Sequence, residues 1–174
     1  MRASTSLTVL LIALLPGCAA DAPSAVVAPT GAARLSAPAG EAAAATAERP
    51  WTGQCDVEAT ITGPTTILIT GSCQLAHLGR TSVVTQETVD WAQGTFTNTS
   101  TYTAANGDLL YTVGSGVLTI GAAGTGTAAG PWTAVGGTGR FAGATGAAAY
   151  AESVQITGPT TAAGTYTLEG RLSY

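Results

Sequence analysis

A chain of 174 residues has room for one domain and its extensions. Its six basic residues are all arginines, scattered singly, and the net charge is −4, which excludes the basic footprint of a nucleic-acid binder and a cationic patch for anionic lipid. Glycine, alanine and threonine dominate, a balance that favours strands and turns over long helices in the second half.

The first residues read as an export signal. Met1 and Arg2 supply a short positive start, and Leu7 to Leu15 an apolar stretch too short to span a bilayer. Leu15-Pro16-Gly17-Cys18 follows and resembles the bacterial lipobox, in which the signal is cut before a cysteine that becomes lipidated. Residues 1–17 are therefore expected to be a lipoprotein signal peptide, with Cys18 anchoring the chain to the membrane of the cell envelope. The competing reading is plain secretion, with cleavage a few residues later. Acyl chains anchor at ~0.8 kcal/mol per buried methylene, so no transmembrane helix is required. Residues 18–50 read as an Ala-rich tether punctuated by Pro23, Pro29, Pro38 and Pro50. With no aromatic residue to nucleate a core, it is expected to be disordered, or transiently helical near Glu41–Glu48. A partner-binding segment is the alternative.

From Trp51 the composition changes, and residues 51–174 read as an all-β domain. Alternating runs separated by turn signals place strands near 54–62, 66–75, 81–90, 94–103, 108–120, 131–136, 146–157 and 164–173, the pattern of a barrel or a sandwich. Ile61-Thr62-Gly63-Pro64-Thr65-Thr66 recurs as Ile156-Thr157-Gly158-Pro159-Thr160-Thr161, which reads as one hairpin turn used twice. Gly121 to Gly130 reads as a low-complexity loop.

Cys55 and Cys73 lie equally far from Pro64. Folding the chain there pairs Ile61 with Ile67, Ala59 with Ile69, Val57 with Gly71 and Cys55 with Cys73, giving one apolar face that carries both cysteines. Export places them in an oxidising compartment, so a Cys55–Cys73 disulfide is expected; two free buried thiols are the alternative. The same logic around Asn106-Gly107 pairs Tyr102 with Leu109, Ser100 with Tyr111 and Asn98 with Val113. It assigns Phe96, Asn98, Tyr102, Leu109, Tyr111 and Val113 to the interior. Thr95, Thr97, Thr99, Thr101 and Thr103 then form an outward ladder, with Leu110 and Thr112 beside them.

Tyr150, Val154 and Ile156 share a face with Glu152, while Tyr166, Leu168 and Leu172 stand opposite Glu169 and Arg171. Glu152 is thus the carboxylate expected to point inward, where it must be paired or shift its pKa upward. A slip of one residue would instead leave it in solvent. Glu87 has a weaker claim through Val83, Val89 and Trp91, with Val84 arguing the other way. His77 is the single histidine and lies between strands, without the partners a metal site needs. No cofactor or metal is expected.

The most specific stretch is Gly136-Gly137-Thr138-Gly139-Arg140-Phe141-Ala142-Gly143-Ala144-Thr145-Gly146, a glycine-rich turn around one expected buried anchor, Phe141. It lacks the lysine and the strand–loop–helix setting of a phosphate loop. It resembles the Gly-Gly-Thr-Gly-x-Phe…Ala-x-Gly segment of the allene oxide cyclase and dirigent barrels. His77-Leu78-Gly79-Arg80 and Asn106-Gly107-Asp108 resemble segments of uncharacterised bacterial exported proteins with this motif. The resemblance implies a calycin-like, eight-stranded antiparallel barrel, often a homotrimer, with a lumen for small apolar molecules. The matching motif is structural, and the plant catalytic residues have no secure counterparts here. Streptavidin-like and lipocalin barrels are rival all-β readings.

Three functions are compatible with these residues. One is a tethered barrel binding a small apolar or aromatic ligand, with Tyr102, Tyr111, Tyr150 and Tyr166 lining it and Asn98 and Glu152 as polar handles. Another is an isomerase or cyclase using Glu152 as acid or base. The third is a structural or adhesive envelope protein with a filled barrel. Binding is favoured, because catalysis needs converging groups and only one inward charge is arguable.

Overall fold

A computed structural model describes residues 47–174; the expected signal peptide, Cys18 and most of the expected tether lie outside them. Eight strands follow in order: β1 (Glu48–Ile61), β2 (Thr66–Leu75), β3 (Gly79–Asp90), β4 (Thr95–Thr103), β5 (Leu109–Ile120), β6 (Thr125–Gly137), β7 (Thr145–Gly158) and β8 (Thr161–Ser173). Each pairs antiparallel with the next, and β8 pairs back onto β1 to close an eight-stranded barrel. Closure removes the free strand edges that an open sheet would expose. β1 begins inside the span read as tether, at Glu48, opposite Ser173 of β8.

Alternation of side chains gives each strand an inner and an outer face. In β3, Thr81, Val83, Thr85, Glu87 and Val89 are buried, and the residues between them are exposed. The β1–β2 hairpin has the expected register, Ile61 against Ile67 through Cys55 against Cys73, and the Cys55–Cys73 disulfide is formed. The repeated Ile-Thr-Gly-Pro-Thr-Thr segments make equivalent turns. Thr62 Oγ1 donates to Thr66 Oγ1 at 3.2 Å, and Thr157 Oγ1 to Thr161 Oγ1 at 3.1 Å.

The β4–β5 hairpin departs from expectation by one residue. The Gly107 N–H donates to the Ala104 carbonyl and the Ala104 N–H to the Asp108 carbonyl, both at 2.9 Å. Gly107 has φ +88°. This is a three-residue loop closed by a left-handed glycine. Tyr102 therefore pairs with Leu110, Ser100 with Thr112 and Asn98 with Gly114. A slip of one residue moves a strand's side chains to the other face. Leu110 and Thr112 are buried, whereas Tyr111 (37% exposed) and Val113 (41%) lie outside and Leu109 is half-buried. The interior assignment of Leu109, Tyr111 and Val113 is thus corrected; that of Phe96, Asn98 and Tyr102 on β4 holds.

β6 also starts earlier than its composition suggests, at Thr125, so the expected loop is strand from Thr125 onward. Gly126, Ala128, Trp132 and Ala134 are its buried positions. Small residues carry the first half because neighbouring elements fill the space. At Gly130 the Ser115 carbonyl approaches so closely that a Cβ would overlap it.

Turns at the two barrel ends differ in character. The β2–β3, β4–β5 and β6–β7 connections meet at the end where the described chain begins and finishes. There Phe141 is fully buried, edge-on to Tyr174 with ring centroids 4.8 Å apart. Asp108 accepts from the Arg140 N–H at 3.2 Å, and Arg140 Nη2 donates to the His77 carbonyl at 3.1 Å. The three segments that carry the family resemblance thus form one plug. The β1–β2, β3–β4, β5–β6 and β7–β8 turns surround the opposite end, the mouth.

Candidate functional site

The barrel interior has a filled part and an open part. Trp51, Tyr102, Leu110, Trp132, Phe141 and Leu172 are at most 2% exposed and occupy the filled part. Trp132 stands edge-on to Tyr150, with centroids 4.4 Å apart, and tilts against Tyr166 at 5.4 Å. The Tyr102 and Tyr166 hydroxyls are 2.9 Å apart, and the Cys73 Sγ lies 3.7 Å from the Tyr166 hydroxyl. A disulfide sulfur has no proton, so Tyr166 donates toward Sγ and Tyr102 donates to Tyr166. Burial raises both phenols above their ordinary range, which keeps them neutral.

A cavity of 130 Å³ opens at the mouth. Its walls are aliphatic: Ile61, Ile67, Ile69, Leu118, Ile120 and Ile156. Trp91 stands at the rim, 46% exposed, with its Nε1 donating to the Pro64 carbonyl at 2.8 Å. Glu87 and Glu152 are the charged residues that line the cavity.

Strand geometry supports each acid. Asn98 lies directly across from Glu87 on β4 and donates from Nδ2 to Glu87 Oε2 at 3.4 Å. Tyr150 precedes Glu152 by two residues on the same face of β7, and its hydroxyl donates to Glu152 Oε2. Burial pushes the Glu87 carboxyl up to about 7; the Asn98 hydrogen bond opposes this and the Glu152 charge adds to it. Burial also raises Glu152, against the Tyr150 hydrogen bond. The Tyr150 phenol is raised by burial and then by the Glu152 charge. Both carboxyls therefore keep their proton to higher pH than an exposed acid does, and they share one lumen.

Below the acids, Asn98 Oδ1 and Trp132 Nε1 are buried without a hydrogen-bond partner. Both crowd Gly114, where a Cβ would sit 2.6 Å from the first and 2.7 Å from the second. Gly114 is the residue that lets an amide and an indole share this layer.

The expected site residues thus separate. Glu152 lines the cavity; Asn98 and Tyr150 hold the acids; Tyr102 and Tyr166 belong to the filled part; Tyr111 is outside. Glu87, the weaker candidate by sequence, is the more buried acid at 7% exposure. Its signal was the alternation of Thr81, Val83, Thr85 and Val89, which outweighs the exposed Val84. Ile61, Ile67 and Ile69 shared the apolar face of the first hairpin, whereas nothing in the alternation singled out Trp132. His77 sits in the plug with φ +65°, away from the cavity. Among the described residues no group of three or more His, Cys, Asp or Glu could hold a metal ion.

No family model matches the chain, and no curated protein matches it. Among solved structures the chain is similar to the pterocarpan synthase dirigent protein GePTS1, at 15% identity and a TM-score of 0.43, over 73% of this chain and 86% of that one. The architecture itself rests on the strand order and registers of the closed sheet.

Proposed function

We propose that the protein is an exported, lipid-anchored barrel that binds one small apolar or aromatic ligand at its mouth. The observation that supports this most directly is the 130 Å³ cavity, walled by aliphatic side chains above two carboxyls. Apolar protein cavities of about 150 Å³ accept benzene-sized molecules, and a few fixed polar groups suffice to orient them. An anchor at Cys18 would reach the barrel through Glu48, at the end opposite the mouth. Native mass spectrometry of the protein, purified from its own host without detergent, tests the reading. A co-purifying small molecule is expected. A bare mass, together with melting unchanged by a panel of aliphatic and aromatic ligands, would remove it.

A second reading, an isomerase or cyclase, gains support from the convergence of Glu87 and Glu152. Two acids, both raised by burial, line one cavity, the complement that proton transfer needs. Glu87→Gln and Glu152→Gln should each lower any detected turnover by about 10²-fold. Unchanged turnover in both variants would eliminate catalysis by these groups.

A further inference from the structure

The floor of the mouth cavity brings two carboxyls together without a cation to answer them. Glu87, 7% exposed, and Glu152 line it together. Asn98 occupies one oxygen of Glu87, and Tyr150 one oxygen of Glu152. The second oxygen of each carboxyl has no hydrogen-bond partner among the described residues. No lining residue is basic. The described arginines are engaged elsewhere or exposed: Arg49 and Arg140 over the Tyr174 ring, Arg171 beside Glu48, and Arg80 near the start of β3. A buried carboxylate needs either a proton or a positive partner.

We propose that the cavity takes a small apolar amine, held as its ammonium ion between the free oxygens of Glu87 and Glu152, with its hydrocarbon against Ile61, Ile69, Leu118 and Ile156. The proposal rests on the binding reading above and names its ligand class. An ammonium group offers three donors and one positive charge to two acceptor groups. An alcohol offers a single donor and leaves the second acid unanswered. A carboxylate ligand meets like charge. A bare divalent cation would need six or more oxygens, whereas the walls here are aliphatic.

The pH response is also specified. The other titratable groups packed against the pair are Tyr150, Tyr102 and Tyr166, all held protonated by burial. Proton exchange on amine binding therefore belongs to the two acids. Below neutral pH an ammonium ion must displace the Glu87 proton, so affinity falls as the pH drops.

Calorimetry of the full-length protein with benzylamine, benzyl alcohol and benzoate tests the assignment. At pH 8, benzylamine should bind about tenfold or more tighter than benzyl alcohol, with benzoate weakest. At pH 6.5 the heat of benzylamine binding should vary with the buffer's ionisation enthalpy, reporting proton release. The Glu87→Gln/Glu152→Gln double variant should lose the tenfold preference, its folding being followed separately by its melting temperature. Equal affinity of the wild type for amine and alcohol overturns the amine assignment and leaves the binding reading standing. If none of the three binds, the amine assignment falls, and the co-purification measurement decides the binding reading by itself.

Discussion

Glu87 shows how one buried side chain couples stability to pH. Its carboxyl titrates at about 7 in the folded barrel, against 4.5 for the ordinary group. The folded state therefore holds a proton that the unfolded state has already lost between those values. Stability falls as pH rises through that window, by on the order of 3 kcal/mol in total for this group. Glu87→Gln keeps the hydrogen-bonding shape without the charge. It should flatten the decline between pH 5 and 8 and raise the melting temperature at pH 8, as followed by circular dichroism; an unchanged pH profile would show that Glu87 is not the group responsible. Gly114 makes the complementary point about space. A methyl group there meets Asn98 Oδ1 at 2.6 Å and Trp132 Nε1 at 2.7 Å. Gly114→Ala should cost about 1–3 kcal/mol, the range for overpacking a filled layer, measured by denaturant titration.

At the scale of elements, the two hairpins explain what could be read in advance. β1 and β2 have their isoleucines and cysteines on one face and Asp56, Glu58 and Thr60 on the other, so only one register buries the apolar set. β5 has no such contrast. Leu109, Leu110, Tyr111 and Val113 put apolar groups on both faces, and the face is decided by the Gly107 loop, one residue longer than the tightest hairpin turn. Tyr111 was misplaced for that reason. β6 was half-hidden for another: Gly126, Ala128 and Gly130 pack inward although small residues carry no hydrophobic signal. Glu152 and Asn98 could be located by alternation, whereas the cavity above them depends on side chains from β1, β2, β5 and β7 meeting across the lumen. The disulfide belongs to the legible hairpin. It links residues 18 apart, a loop whose closure is worth about 3 kcal/mol in the chain-entropy account. Cys55→Ala/Cys73→Ala should lose roughly that amount in denaturant titration, and reductant should have no effect on the double variant.

Across the whole barrel, the packed plug and the open cavity occupy opposite ends. The plug joins three connections through Asp108, Arg140 and the His77 carbonyl around the buried Phe141. Gly139 in that plug has φ +54°, and a Cβ there would overlap the Asp108 carboxylate. The mouth has the reverse character: exposed Ile61, Ile120 and Ile156 surround a cavity instead of a packed layer. Substitutions at the two ends should therefore separate. Gly139→Ala strains the backbone and displaces Asp108, so it should cost about 1–3 kcal/mol of stability while leaving ligand affinity within about twofold, a margin of roughly 0.4 kcal/mol. Val154→Phe places a ring in a cavity already sized for one. It should abolish binding of a benzene-sized ligand and leave the melting temperature unchanged or higher, because the ring covers apolar surface that is open in the wild type. The two sites are far apart along the barrel, so the double variant should show the sum of the single effects. Melting and calorimetry on all four proteins measure both quantities. Loss of affinity in Gly139→Ala without a change in stability would show that the plug governs the mouth, and the division between the two ends would then be wrong.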